Sequence, residues 1–419
     1  MKVFKFGGAS VESPQRMRNL LPIIRKYKPQ VIVLSAIGKT TNALEEIVYA
    51  SIKKDNFEVD KLCTNLKNIH LNYCKALLSD DLIEKCKSKL DQYFNIIKEK
   101  ASNYSVGKED FLYDQIVSFG EIMATEIFAN YLNSEGESIE WVDIRPLFIT
   151  NSAFRHADLL EKQSTEKIQE YFKPLIDSGK IILTQGFIGS DTEGNITTLG
   201  REGSDYTASF IAAALDASSL TIWKDVPGFL NADPKCFSPT VKIDTISFHE
   251  IIELAFYGAK IIHPKTIKPI QNKNIPLYVK SFLEPESSGT QVRNTKSSIV
   301  YPSMKVLKDN QTMIQLTTKD FSFIDEYDLS WVYQLCSELY IKVNLIQHTA
   351  ISLVISINHE DYKIQPFLKA VQERYNTKRN ENLNLLTLRH YTEEELKELY
   401  SKKAIILEQR TRSTVQLLY

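Results

Sequence analysis

A lysine and two adjacent glycines end the first apolar segment of the chain, which reads VFKFGGAS over residues 3–10. Glycine has no side chain, so the backbone N–H groups of Gly7 and Gly8 can approach an anion closely. Lys5 adds a positive charge, and Ser10 adds a hydroxyl group. This set suits the oxygens of a phosphoryl group, although an N-terminal strand followed by an ordinary glycine turn has the same pattern.

A second polar group follows at residues 200–207, GREGSDYT, directly before an apolar segment that predicts a helix. Ser204 or Asp205 would cap that helix, so its N-terminus, two hydroxyl groups and Arg201 would meet at one place. Such an arrangement can bind an anion. The alternative is a capped helix after a glycine turn, without a ligand.

A third segment, residues 114–121, begins another predicted helix. Ser118, Glu121 and Thr125 are three and four residues apart, so they share one helix face. A polar stripe of this kind either faces solvent or offers the Glu121 carboxylate to an ammonium group.

The segment VIVLSAIGKT at residues 31–40 is similar to the end of a P-loop, because a strand precedes Gly-Lys-Thr. A P-loop also needs a glycine five residues before Gly38. Val33 stands there. We therefore reject a Walker A motif.

The order of apolar segments predicts how these residues are positioned. From residue 1 to about 282, short β-branched runs alternate with amphipathic segments, which indicates strands joined by helices around a mainly parallel sheet. The predicted strands are residues 3–6, 31–35, 138–143, 181–187, 220–224 and 276–281. Residues 42–105 indicate two or three peripheral helices. Ligands bind beyond the carboxyl ends of strands in such sheets, where the polar stretches lie.

Composition excludes several classes of protein. The 419 residues carry 51 Lys and Arg against 52 Asp and Glu, so the net charge of -1 gives no field for nucleic acid or an anionic membrane. The five cysteines form no CxxC pair, which argues against a disulfide or zinc framework. No apolar stretch approaches the roughly 18 residues of a membrane span, and no signal peptide precedes the first strand. We expect a cytoplasmic protein.

Six collinear segments together resemble the aspartate kinases of the amino-acid-kinase superfamily. They are KFGGASV from Lys5, VLSAIGKTTNAL from Val33, SFGE from Ser118, TQGFIGSDTEGNITTLGREGSDYTA from Thr184, WKDVPGFLNADPK from Trp223 and ELAFYGAKIIHPKTIKPI from Glu253. The resemblance implies an α/β fold, an αβα sandwich with a mainly parallel sheet, over residues 1–290. It also implies transfer of the γ-phosphate of ATP, with Mg²⁺, to the β-carboxylate of L-aspartate. The products would be 4-phospho-L-aspartate and ADP, the first step toward lysine, threonine and methionine.

The resemblance also assigns roles to residues of this chain. Lys5 and Asp205 would be catalytic, with Gly7, Gly8 and Ser10 at the phosphate. L-Aspartate would be bound by Ser35, Thr41, Glu121, Arg201 and Ser204, and ATP by Lys224, Asp225, Leu230, Lys235 and Lys260. The planar guanidinium of Arg201 suits a carboxylate. A direct protein ligand for Mg²⁺ is left open.

Three positions depart from the pattern of that family. Glu202 stands where the family motif, glycine-arginine-glycine-glycine, has its third residue. A carboxylate repels phosphate, so we expect Glu202 to face solvent or to pair with a cation. Ala9 replaces a threonine, while Ser10 remains. The aromatic residue that contacts the nucleotide in that family, after a proline-glycine turn, is displaced here, and Phe229 and Leu230 stand in its place.

The C-terminal part, residues 306–419, resembles the ACT regulatory modules that follow such kinase domains, most clearly over IKVNLIQHTAISL from Ile341. An amino-acid effector and a homodimer are therefore expected, although the length is short for two complete modules. Asn344 and Ala350 replace acidic residues that bind the effector in lysine-inhibited relatives. An ammonium group without a carboxylate partner is costly to bury, so we expect weak or absent lysine binding.

Two other functions remain open from the sequence. The first is a related amino-acid or carbamate kinase with another acceptor. The second is an amino-acid sensor that has kept the fold and lost catalysis, for which Glu202 and Ala9 are the support. Lys5, Arg201 and Asp205 favour an active kinase.

Overall fold

The computed structural model describes residues 1–259, 262–295 and 299–419. The described helices are α1 (Pro14–Tyr27), α2 (Thr40–Ile52), α3 (Asn56–Leu77), α4 (Asp80–Ser102), α5 (Glu109–Val117), α6 (Phe119–Ser134), α7 (Glu161–Asp177), α8 (Gly203–Ala214), α9 (Phe248–Tyr257), α10 (Pro264–Asn272), α11 (Glu326–Glu338), α12 (Asp361–Val371) and α13 (Glu393–Lys402). No described helix is both long and apolar enough to cross a membrane.

The described strands follow the same order along the chain. They are β1 (Lys2–Phe6), β2 (Val31–Leu34), β3 (Ile139–Val142), β4 (Ile149–Thr150), β5 (Ile181–Gln185), β6 (Ile188–Asp191), β7 (Ile196–Thr198), β8 (Ser219–Lys224), β9 (Phe229–Leu230), β10 (Lys242–Ile243), β11 (Thr245–Ser247), β12 (Leu277–Ser281), β13 (Thr290–Arg293), β14 (Met304–Thr318), β15 (Val343–His348), β16 (Ser352–Asn358), β17 (Tyr375–Arg389), β18 (Leu407–Arg410) and β19 (Thr414–Leu418).

The chain forms two compact units. The first contains Met1–Phe229, Asp244–Ile252 and Ile261–Ser297, and the second contains Leu230–Ile243, Glu253–Lys260 and Ser298–Tyr419. The sequence predicts domains at residues 1–290 and 306–419. It thus assigns Leu230–Ile243 and Glu253–Lys260 to the first domain, whereas they cluster with the second unit. That division stays a prediction.

The first unit is built on an eight-stranded sheet of order β11-β13-β12-β8-β1-β2-β5-β3. All the pairs from β12 to β3 are parallel, and β13 is antiparallel to β12. The four residues of β2 are all buried, as expected for a sheet covered on both faces. The mainly parallel α/β fold expected from the sequence is confirmed, and β1, β2, β3, β5, β8 and β12 correspond to the predicted strands.

The central position of β1 determines where the functional residues lie. This strand pairs in parallel with β2 on one side and β8 on the other, so their carboxyl ends meet at one edge. Gly7 and Ser35 follow β1 and β2, and Lys224 is the last residue of β8. The edge is thus the place where a ligand is expected.

The second unit contains an antiparallel sheet of order β15-β16-β14-β17-β19-β18. The long strands β14 and β17 pair along most of their length, with register shifts between Lys308 and Met313. One apolar cluster joins β14 and β16 with α11 and α12, and another joins β17 and β19 with α13. In the described part of the chain, the second cluster therefore has one helix where the first has two.

Candidate active site

A cavity of about 520 Å³ lies in the first unit at the carboxyl ends of β1, β2 and β8. The predicted site residues that line it are Lys5, Gly8, Ser35, Thr41, Glu121, Arg201, Ser204, Asp205 and Lys224. Gly7, Ser10, Asp225, Leu230 and Lys235 are described but do not line the cavity. Lys260 lies outside the described residues.

Lys5 and Lys224 both approach the carboxylate of Asp205. Lys5 Nζ is 2.6 Å from Oδ1, and Lys224 Nζ is 3.7 Å from Oδ2. Burial alone would raise the pKa of Asp205, but the two ammonium groups outweigh it and hold that pKa below its ordinary value. Asp205 therefore stays ionised and fixes two positive charges, one from β1 and one from β8, at the same edge of the sheet.

The loop after β1 packs closely against the loop after β2. A Cβ added to Gly8 would lie 3.1 Å from the carbonyl oxygen of Ala36 and 3.2 Å from that of Gly38. Only a small displacement would make room, so glycine allows the backbone to approach at this point. Ser10 is buried, and its hydroxyl has no hydrogen-bond partner among the described residues.

Glu121 extends a buried carboxyl group into the cavity from α6. Its side chain is 3% exposed, and Oε1 accepts a hydrogen bond of 3.4 Å from the backbone N–H of Ala36. Oε2 has no partner among the described residues. Burial raises the pKa of Glu121 to about 8, against the opposing effects of backbone hydrogen bonds and the charge of Lys5. A ligand ammonium group would satisfy this carboxyl group.

The polar stripe of α6 does not face solvent, which corrects one of the two interpretations left open by the sequence. Ser118 and Thr125 are both 0% exposed, like the apolar residues around them. Thr125 Oγ1 accepts hydrogen bonds from the side chains of Trp141 and Gln185, at 2.9 Å each. Neighbouring strands and helices therefore surround α6 on its polar face as well.

Helix α8 begins at Gly203, so the predicted caps are wrong. Ser204 and Asp205 lie inside its first turn, and Glu202 occupies the N-cap position without a side-chain capping bond. The backbone of Glu202 is left-handed, with φ of 55°. Ser204 and Asp205 therefore lie in the first turn of α8 and not at its N-cap, and both line the cavity. Arg201 is exposed at the cavity and has no partner among the described residues.

Glu202 is partly buried, and among the described residues its partner is a backbone amide. Oε2 accepts a hydrogen bond of 2.6 Å from the backbone N–H of His263. His263 is the N-cap of α10, where helix N–H groups lack partners within the helix. In the described part of the chain, a neutral amide donor therefore takes the place of the solvent or the cation that we expected beside Glu202.

Several residues that sequence reasoning missed line the same cavity, among them Tyr113, Arg155, His156 and Phe187. The Arg155 guanidinium lies 4.2 Å from the centre of the Tyr113 ring. Arg155 and Phe187 also have left-handed backbones, with φ of 66° and 69°. Neither residue type favours that conformation, so no sequence signal indicated these turns.

Asp114 is a further missed residue, behind the cavity wall. It is fully buried and accepts hydrogen bonds from Thr198 and from the backbone of Arg155. Burial raises the pKa of Asp114 to about 7, although these hydrogen bonds oppose the shift. The available signal was that Asp114 begins the segment that ends at Glu121, and the structure places the two residues on the consecutive helices α5 and α6.

Two ammonium groups and a buried carboxyl group at the carboxyl edge of a parallel sheet suit a kinase that acts on a small molecule, and the comparisons agree with that class. Residues 1–281 match the amino acid kinase family. The chain belongs to this family.

The similar proteins are aspartokinases. Lysine-sensitive aspartokinase 3 of Escherichia coli K12 is 32% identical over 357 residues, which cover 85% of this chain and 78% of that protein. The chloroplastic aspartokinase 1 of Arabidopsis thaliana is 32% identical over 368 residues, and the match spans 63% of its length.

Solved structures of E. coli aspartokinase III extend the similarity to the whole chain. The R-state complex with aspartate and ADP has a TM-score of 0.83 at 28% identity, covering 100% of this chain and 96% of that one. The T-state complex with lysine and aspartate has a TM-score of 0.84, with the same identity and coverage. The similarity therefore includes the C-terminal unit as well as the kinase fold.

Proposed function

We propose that this chain is an aspartate kinase, which transfers the γ-phosphate of ATP to the β-carboxylate of L-aspartate. One observation carries the proposal: a single cavity joins the Lys5–Asp205–Lys224 cluster to a carboxyl oxygen of Glu121 that has no hydrogen-bond partner in the described part of the chain. The first group suits phosphate oxygens, and the second suits the ammonium group of an amino acid. Relatives named aspartokinase support the same assignment.

The substrate is oriented by opposite charges at its two ends. Glu121 takes the ammonium group, and Arg201 takes the α-carboxylate in its planar fork. Ser35, Thr41 and Ser204 line the same cavity. Held in this way, the β-carboxylate points toward Lys5 and Gly8, where the phosphoryl group is expected.

The residues at the sheet edge then stabilise the transfer itself. Lys5 and Lys224 neutralise the charge that develops on the phosphoryl oxygens, and Asp205 holds both ammonium groups in place. Phosphoryl transfer needs alignment and charge stabilisation more than covalent help from the protein. Because Asp205 is committed to two lysines, we assign it a positioning role rather than that of a base.

The close-packed backbone at Gly8 and the two ammonium groups fit the phosphates of ATP. Bound Mg²⁺ would neutralise part of the triphosphate charge. The described residues include no group of three or more His, Cys, Asp or Glu side chains placed to hold a metal. We therefore propose that Mg²⁺ arrives with the nucleotide. The roles of Asp225, Leu230, Lys235 and Lys260 at the nucleotide stay predictions.

A hydroxylamine assay tests the function directly. The protein is incubated with Mg-ATP, hydroxylamine and, in parallel, L-aspartate, L-glutamate or N-acetyl-L-aspartate, and the hydroxamate is measured. We expect aspartyl hydroxamate from L-aspartate alone, because N-acetylation removes the ammonium group that Glu121 needs. Hydroxamate from another amino acid would indicate a related kinase. Its absence from every substrate would favour the sensor.

The second unit supports the expectation of weak lysine binding. The E. coli relative is named lysine-sensitive, and one of its structures contains lysine. In this chain, Asn344 Oδ1 accepts a hydrogen bond of 2.7 Å from Lys308, and Nδ2 donates to Gln311 and Asn358 at 2.8 Å each. The amide group of Asn344 is therefore already engaged, and we propose that it does not bind an effector ammonium group. The homodimer and the cytoplasmic location stay predictions.

A further inference from the structure

One buried carboxylate connects three elements of the first unit. Asp114 lies on α5 and is 0% exposed. Its Oδ2 accepts the backbone N–H of Thr198 at 2.8 Å, and Oδ1 accepts the Thr198 hydroxyl at 2.6 Å. Both oxygens also accept the backbone N–H of Arg155, at 3.1 and 3.0 Å. Asp114 thus joins α5 to the end of β7 and to the loop after β4.

The two segments that Asp114 joins both line the cavity, and they contact each other. Arg155 and His156 come from the loop, while Gly200 and Arg201 lie two and three residues after Thr198. A Cβ on Gly200 would lie 2.8 Å from His156 Nδ1 and 3.1 Å from the carbonyl oxygen of Arg155. The two segments are therefore closely packed at Gly200, the residue before Arg201.

The loop needs an anchor because its backbone is strained. Arg155 has φ of 66°, a conformation that residues with side chains rarely adopt unless their surroundings hold them. Asp114 supplies that hold through the Arg155 N–H. The side chain of Arg155 has separate partners, since its guanidinium pairs with Asp110 at 3.2 Å and covers the Tyr113 ring.

The choice of a carboxylate at this position is costly for stability. Burial disfavours the ionised form of Asp114; the groups that face it are the charged guanidinium of Arg155, from the loop, and the neutral ring hydroxyl of Tyr113, on its own helix. Such a group is better explained by what it positions than by the stability it confers.

We propose that Asp114 is a positioning residue for the amino-acid end of the cavity, holding the Arg155 loop and the segment before Arg201 so that Arg201 meets the substrate carboxylate. The inference rests on the proposed function. It predicts that loss of the Asp114 carboxylate weakens the binding of L-aspartate and leaves the binding of ATP nearly unchanged.

Asp114→Asn and Asp191→Asn form a matched pair for the test. Asp191 is also buried; it accepts hydrogen bonds from Glu193 and Asn195 in the β6–β7 turn and from the Ser152 hydroxyl at the start of the loop after β4, but it does not line the cavity. We expect Asp114→Asn to weaken the Kd for L-aspartate by about tenfold or more, with kcat and the KM for ATP within about threefold. Asp191→Asn should leave all three within about twofold.

Thr198→Val keeps the test valid if Asp114→Asn does not fold. This variant removes only the hydroxyl donor of 2.6 Å, and we expect the Kd for L-aspartate to rise about threefold. Equal losses for aspartate and ATP, or equal effects of the Asp114 and Asp191 variants, would overturn the proposal. Calorimetry of L-aspartate binding does not require catalysis. Wild-type protein that binds aspartate without forming hydroxamate would thus refute the function and still test the positioning.

Discussion

The buried carboxyl group of Glu121 makes substrate binding depend on pH. With a pKa of about 8, Glu121 is mostly protonated in the free protein near neutral pH. Pairing with a substrate ammonium group requires the ionised form. At about pH 7, one unit below the pKa, ionisation costs about 1.4 kcal/mol, and this cost disappears as the pH rises above 8.

The magnitude follows from the ionised fraction. About one tenth of Glu121 is ionised near pH 7 and about one half near pH 8, so affinity for L-aspartate should rise about fivefold over that interval. The same argument predicts that binding near pH 7 releases about 0.9 proton per molecule, because the bound carboxyl group must lose its proton.

Isothermal titration calorimetry in two buffers of different ionisation enthalpy measures both quantities. Glu121→Gln removes the titrating group, so it should bind aspartate more than about tenfold more weakly and release almost no proton. Glu126→Gln is a matched control on the same helix, since Glu126 accepts a hydrogen bond of 2.5 Å from Tyr93 and lies outside the cavity. Proton release below about 0.3 in the wild type, or equal release from Glu121→Gln, would refute the reasoning.

Three further predictions concern the Lys5–Asp205–Lys224 cluster, the left-handed backbone at Glu202, and the second unit. Lys5→Met leaves the buried Asp205 with only the ammonium group of Lys224, 3.7 Å away, among the two lysines that now pair with it. We expect kcat to fall about 1000-fold and the free energy of unfolding, measured by urea denaturation, to fall by about 3 kcal/mol. Adding Asp205→Asn should restore part of that stability. Glu202→Gly removes the strain of a left-handed backbone, about 1 kcal/mol, but also removes the hydrogen bond from the His263 N–H to the carboxylate, about 2 kcal/mol. The free energy of unfolding of this variant should therefore fall by about 1 kcal/mol. Its aspartate and ATP affinities should change less than about tenfold, and a larger gain would show that Glu202 repels the substrates. L-Lysine at about 10 mM should inhibit less than twofold, whereas strong inhibition that Asn344→Ala abolishes would place an effector at that loop.

Much of the first unit was predictable because its strands are short apolar runs that end in polar turns. That pattern located β1, β2 and β8 and hence the edge where Lys5 and Lys224 meet. Asp205 lies 200 residues from Lys5, in the first turn of α8 and not on a strand beside β1. The strand pattern therefore does not predict their contact, and only the family resemblance placed both residues at the site.

Two features of the second unit were missed for a common reason. Apolar residues indicate a strand only at residues 383–388, whereas β17 begins at Tyr375 and passes through a largely exposed polar run. Pairing with β14 supplies backbone hydrogen bonds there, whatever the side chains are. The last strand, β19, was not predicted at all. Strand formation that depends on a distant partner leaves little trace in local hydrophobicity.

The cavity itself combines strained backbone with specific anchors, and this combination explains why its shape was not visible in the sequence. Arg155, Phe187 and Glu202 are left-handed, and each is held from another part of the fold. Asp114 accepts the Arg155 N–H, Thr207 Oγ1 accepts the Phe187 N–H at 3.1 Å, and the His263 N–H reaches Glu202.

Each left-handed residue costs about 1 kcal/mol, which is similar to the contribution of the hydrogen bond that holds it. The balance at each position is therefore close. Loss of an anchor should change the local backbone before it unfolds the chain, so we expect anchor variants to lose substrate affinity at temperatures where the protein remains folded. A site built in this way depends on tertiary hydrogen bonds between segments far apart in sequence, which no local pattern encodes.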